Sequence, residues 1–167
     1  MALTRLSNQS LTSVTALPTA ISTGKVLQVQ STQLQAEFAT SSTSFTDVTN
    51  MAVTITPAAT SSKILLLCNT NTYVTAHEAY FNLRWERAIS GGSTTNIGGS
   101  TYGLTFARSA EEHDFWGGVG MTYLDSPSTT SAVTYQVQAR SSSGNITIGV
   151  NTSNTNSIYA LEIASWL

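Results

Sequence analysis

The chain has 167 residues, 41% of them hydrophobic but only 10% charged, with a formal net charge of −2. That length suits one domain with a short extension. Three Trp, six Tyr and five Phe at so little charge exclude a disordered chain, and seven scattered basic residues argue against nucleic acid as a partner.

Residues 1–24 differ in character from the rest of the chain. Leu3, Leu6, Leu11, Val14 and Leu17 are spaced too irregularly for a helix, and Pro18 and Gly24 close the segment. It reads as an arm that gains structure by docking, with a second region, 25–167, forming the folded domain. Met1 to Ser7 carry no continuous apolar stretch of the signal-peptide kind, so folding in a cytoplasm is expected.

From Gly24 onward, strand candidates alternate with turn signals. They cover residues 25–31, 34–38, 48–56, 63–74, 80–88, 101–107, 119–124, 133–139, 145–150 and 158–166. No helix interrupts them. Ser and Thr, roughly 30% of the chain, suit strands and turns alike. The reading is all-β: an antiparallel jelly-roll-like β-sandwich of about ten short strands behind an N-terminal docking arm.

The stretch from Phe45 to Asn69 says most. Met51, Val53 and Ile55 alternate with Ala52, Thr54 and Thr56, the period of a strand with one buried and one wet face, and Pro57 ends it. The next strand is apolar at both parities: Ile64, Leu66 and Cys68 on one, Leu65 and Leu67 on the other. Leaving two leucines in water forfeits about 1.5–3 kcal/mol each. Leu65 and Leu67 are therefore expected at a subunit contact. Cys68, the single cysteine, excludes an internal disulfide or a cysteine-based zinc site and is expected to be buried and inert. No apolar run approaches the ~18–20 residues of a membrane span, so no membrane insertion is expected.

Arg84 and Glu86 share one face of the strand at 80–88, while Phe81, Leu83, Trp85 and Arg87 share the other. Glu111, Glu112, His113 and Asp114 form the only dense ionisable cluster, but successive strand residues point apart, so a solvated turn is expected rather than a metal or acid–base site. Trp116 before two glycines and Tyr102 before Gly103 are candidates for stacking on sugar rings. No nucleophile elbow, phosphate loop or zinc-protease signature occurs. The expectation is no enzyme: no catalytic residue, no metal and no cofactor.

Several blocks are similar to those of a tail-fibre-like family of bacteriophages, common in phages of cyanobacteria and marine bacteria. They are Lys25-Val26-Leu27-Gln28-Val29-Gln30, Phe45-Thr46-Asp47-Val48-Thr49, Thr56-Pro57, Ser61-Ser62-Lys63-Ile64-Leu65-Leu66, and Leu124-Asp125-Ser126-Pro127 followed by Thr129 to Tyr135. The opening Met1-Ala2-Leu3-Thr4-Arg5-Leu6 also resembles openings seen there. The resemblance implies a virion structural protein, a homotrimeric jelly-roll module anchored on other virion proteins by its N-terminus and displayed outside the particle. In a tail-fibre or receptor-binding role, segments 90–100 and 107–118, the latter with Glu111, Glu112, His113 and Trp116, would touch a host-surface glycan or protein together with Tyr102. The alternative is a capsid decoration or head-fibre protein whose arm grips the shell.

Overall fold

The computed structural model describes residues 25–34, 36–75, 78–99, 101–109, 114–149 and 156–164, and all regular structure among them is β. The arm residues Leu3, Leu6, Leu11, Val14 and Leu17, and Glu111, Glu112 and His113, lie outside the described residues.

Eleven strands succeed one another: β1 (Val26–Leu34), β2 (Phe38–Thr40), β3 (Thr46–Ile55), β4 (Lys63–Val74), β5 (Tyr80–Ile89), β6 (Thr94–Ile97), β7 (Thr105–Arg108), β8 (Phe115–Asp125), β9 (Val133–Ser141), β10 (Ile146–Ile148) and β11 (Asn156–Ile163). They form two antiparallel sheets. The first holds β1, β11, β4, β10, β2 and β8; the second holds β3, β9, β5, β6 and β7. From β3 to β10 the chain repeatedly crosses between them, the pattern of a jelly-roll-like sandwich.

β4 organises the first sheet. One flank pairs with β8 from Ile64 to Val74. The other pairs with β11 along Lys63–Asn69 and then with β10 along Thr72–Val74, so β11 and β10 lie end to end. The junction is closed by Asn156, whose side-chain oxygen accepts from Thr70 Oγ1 and from the Asn71 amide, each at 2.8 Å. The core lies between the sheets. β4 supplies Ile64, Leu66 and Cys68, β5 supplies Phe81, Leu83 and Trp85, and β9 supplies Val133, Tyr135 and Val137.

Parity along the strands was a sound guide to burial, but boundaries moved. β1 runs on to Leu34, and the strand expected at 34–38 is the short β2. β8 starts at Phe115, before the expected 119. The segment 90–100, expected as a loop, contains β6, because its Ile97 is buried opposite Trp85. β7 starts at Thr105 rather than 101, since Gly98, Gly99 and Gly103 take positive φ and form a turn. β3 carries a bulge: Asp47 pairs Gln138 but Ala52 pairs Gln136. Asn50 is left-handed there (φ 62°). Gln136 Nε2 fills the gap by donating to the carbonyls of Val48 and Met51.

Cys68 is 5% exposed, and burial pushes its thiol up to about 12. A water-soluble thiol reagent is expected to leave the native protein unmodified at pH 8 and to react once urea unfolds it; rapid native labelling would contradict this burial.

Candidate functional site

The two outer faces of the sandwich differ in chemistry. On the second sheet, the outward residues include Asp47, Arg84, Glu86 and Arg140. They are tied together: Arg84 Nε donates to Gln138 Oε1 at 2.8 Å, Gln138 Nε2 to Asp47 Oδ1 at 2.8 Å, and Arg140 Nε to Asn82 Oδ1 at 3.0 Å. Both guanidinium groups sit over the Phe45 ring, with Arg84 at 3.9 Å and Arg140 at 5.1 Å from its centroid. Burial lowers the Arg84 pKa, with Glu86 opposing and the like charge of Arg140 adding. Tyr102, 65% exposed, flanks Arg140 at 5.7 Å.

The outer face of the first sheet is nearly free of charge. One row of register crosses four strands: Val29 on β1, Leu161 on β11, Leu65 on β4 and Leu124 on β8. The ends of the row are open, Val29 at 53% and Leu124 at 54% exposure. The next row brings Tyr159 and Leu67 together, and Val26 and Leu27 extend the apolar surface on the other side of the Leu65 row, next to Ile163. Among the described strand residues of this face, Lys63 is the only charged one, and its Nζ donates to Ser126 Oγ at 2.7 Å. Leu65 and Leu67 thus stand where the apolar double parity of β4 put them, half-buried by neighbours and still open to solvent.

At the far end of the same face, Tyr73 and Trp116 are paired across β4 and β8, with ring centroids 4.1 Å apart. Trp116 is exposed, and Asp114 accepts from the Tyr73 hydroxyl at 2.6 Å. That hydrogen bond raises the Tyr73 pKa, with burial and the carboxylate's charge adding. Trp116 and Tyr102, grouped by the sequence in one host-contact set, therefore sit on the outer faces of opposite sheets. Of that set, Glu111, Glu112 and His113 are outside the described residues. Among the described residues, no group of three or more His, Cys, Asp or Glu could hold a metal. Among them, too, no helix is long and apolar enough to cross a membrane.

Two buried carboxylates fasten the sandwich. Glu162, fully buried, accepts from Ser62 Oγ (2.6 Å), Gln28 Nε2 (2.7 Å) and the Ala58 amide (2.7 Å). Asp125 on β8 meets Arg87 Nη1 on β5 at 2.9 Å and the Tyr135 hydroxyl on β9 at 2.7 Å, joining the two sheets. Arg87 turns inward, as its parity with Phe81, Leu83 and Trp85 requires. Gln28 and Ser62 thus hold Glu162, and Tyr135 holds Asp125, each across elements distant in sequence.

No family model matches the chain, and no curated protein matches it. Among solved structures, it is similar to Eiger TNF from S. frugiperda, with a TM-score of 0.53 at 9% identity, covering 86% of this chain and 96% of that one. It also aligns with infectious bursal disease virus of the Gt strain, at TM-score 0.43 and 9% identity, covering 83% of this chain and 38% of that one. At such identities the first likeness establishes the β-sandwich fold alone, and the second lies too low to carry an argument.

Proposed function

We propose that this chain is a virion structural protein, a tail-fibre or receptor-binding module that is attached through residues 1–24 and self-associates as a homotrimer. The observation that carries self-association is the apolar face across β1, β11, β4 and β8, on which Lys63 is the one charged residue among the described strand residues. A face so poor in charge is complementary to another copy of itself, whereas the opposite face, with Arg84, Arg140, Asp47 and Glu86, is suited to water. Four strands about 4.8 Å apart and eight steps of about 3.4 Å along β4 give a face on the order of 500 Å². That is below the ~800 Å² each partner buries in a standard interface and within the ~300–600 Å² of the largest patch on a typical monomer, a patch that is often functional. The virion role is supported by the block resemblance, and the low charge of the chain suits a protein that spends its life inside an assembly.

Sedimentation equilibrium is expected to give three times the 17.7 kDa chain mass. Replacing Leu65 and Leu124 together by Lys is expected to give monomers that still fold, because the new charges lie on an outer face and only the subunit contact would desolvate them. A wild-type mass of one chain would overturn the proposal. Labelling the protein on intact particles addresses its place: a few copies at the tail agree with the fibre reading, whereas many copies over the shell would replace it with capsid decoration.

A further inference from the structure

Arg87 and Arg108 each meet a carboxylate, Asp125 at 2.9 Å and Glu78 at 2.8 Å. Arg140 meets none among the described residues, although it stands beside a second cation, Arg84. Buried amides hold both in place. Gln138, 6% exposed, accepts from Arg84 Nε, and Asn82, 1% exposed, accepts from Arg140 Nε. That bond leaves the two outer guanidinium nitrogens of Arg140 without a hydrogen-bond partner among the described residues. The Arg140 guanidinium lies between two rings, 5.1 Å from the Phe45 centroid and 5.7 Å from that of Tyr102.

The carboxylates of this face stand to one side. Asp47, Gln138 and Arg84 share a row of register, and Glu86 lies in the row beyond Arg84. The row of Asn82 and Arg140, on the other side of Arg84, holds no carboxylate among the described residues. Asn82 adds a second signal. Its Nδ2, on the same amide that accepts from Arg140, is buried with no acceptor, and such a donor costs free energy until an acceptor reaches it. The like charge of Arg140 works against protonated Arg84. A doubly negative group beside both turns that repulsion into attraction, and guanidinium forks match its oxygens.

We infer that this face binds a doubly charged oxyanion, a phosphate or sulfate group, with Arg140 and Arg84 as charged donors, Asn82 as the neutral one, and Phe45 and Tyr102 as walls. Two cations make a site for one such group, not for the run of phosphates along a nucleic acid. The site lies on the sheet that self-association leaves open, so binding is expected at whatever mass sedimentation gives.

The test is calorimetric titration of the full chain at low ionic strength with inorganic phosphate, sulfate, glycerol 3-phosphate and acetate. Phosphate and sulfate are expected to bind in the millimolar range or tighter, and singly charged acetate at least tenfold more weakly. Arg140→Gln is expected to lose at least tenfold in affinity. Arg84→Lys keeps the charge but not the fork; it is expected to lose at least threefold, and it carries the test even where Arg140→Gln unfolds. Arg108→Gln, which removes an equal charge from the same sheet, is expected to bind like wild type. Tighter binding of glycerol 3-phosphate than of phosphate assigns the group to an organic ester; otherwise the free ion is the ligand. Absence of wild-type binding up to about 20 mM phosphate, or full affinity in either variant of Arg84 or Arg140, overturns the inference. Equal losses in Arg140→Gln and Arg108→Gln would show a general attraction of anions and overturn it as well.

Discussion

Replacing Arg87 by Ala is expected to lower the unfolding free energy by about 3–5 kcal/mol, the cost of leaving a buried carboxylate without its partner. Asp125 is 5% exposed and holds Arg87 through both carboxylate oxygens, at 2.9 and 3.1 Å. Tyr135 cannot substitute for the lost charge. Burial, reinforced by the hydrogen bond to Asp125, pushes its phenol far above the ordinary value, so it remains a neutral donor. Such a loss is a large share of the ~5–15 kcal/mol that holds a domain together. Urea unfolding measures it. The double variant Arg87→Met with Asp125→Asn is expected to regain more than half of the loss, because Asn still accepts from Tyr135 and no charge is buried. A single-variant loss under about 1 kcal/mol would mean that the three residues do not act as the clamp between sheets.

Glu162→Gln is expected to cost about 2–4 kcal/mol at neutral pH and almost nothing in acid. Burial raises the pKa of this carboxyl, but the hydrogen bonds from Ser62, Gln28 and the Ala58 amide outweigh it, and the net shift is downward from 4.5. A depressed carboxyl binds its proton less readily in the folded than in the unfolded chain. Its contribution is therefore complete above the ordinary value and fades as pH falls through 4.5 and below. Melting curves of wild type and variant should stand apart at pH 7 and converge at acid pH. A gap that persists undiminished below the ordinary glutamate value would show that the carboxylate charge is not what the three donors hold. The consequence is structural: Gln28 also donates to the Thr56 carbonyl at 2.7 Å, so protonating Glu162 loosens β1 and the β3–β4 turn together.

Several of these features were legible in the residues themselves. The alternation in Met51, Val53 and Ile55 and the double apolar parity of residues 64–68 identify buried and outer faces without any knowledge of partners, because side-chain direction along a strand is a local property. The same rule turned Arg87 inward and made Leu65 and Leu67 surface leucines in need of cover. β6 was not legible: Thr94, Thr95 and Asn96 have no apolar alternation, and only pairing with β5 makes them a strand.

The composition and the parity of its strands determined that this chain is an all-β sandwich with one strand apolar on both faces. The tertiary structure alone decided what surrounds those faces. Val29, Leu161, Leu65 and Leu124 become one row only through the registers of three ladders. Glu162 finds Gln28 at 134 positions' distance and Arg87 finds Asp125 at 38. Tyr73 and Trp116 form a ring pair only because β4 and β8 are held in that register. Direction along a strand is carried by each residue's own backbone. Register between strands is set by turns, bulges and the packing of the opposite sheet, so it is decided between segments distant in the sequence.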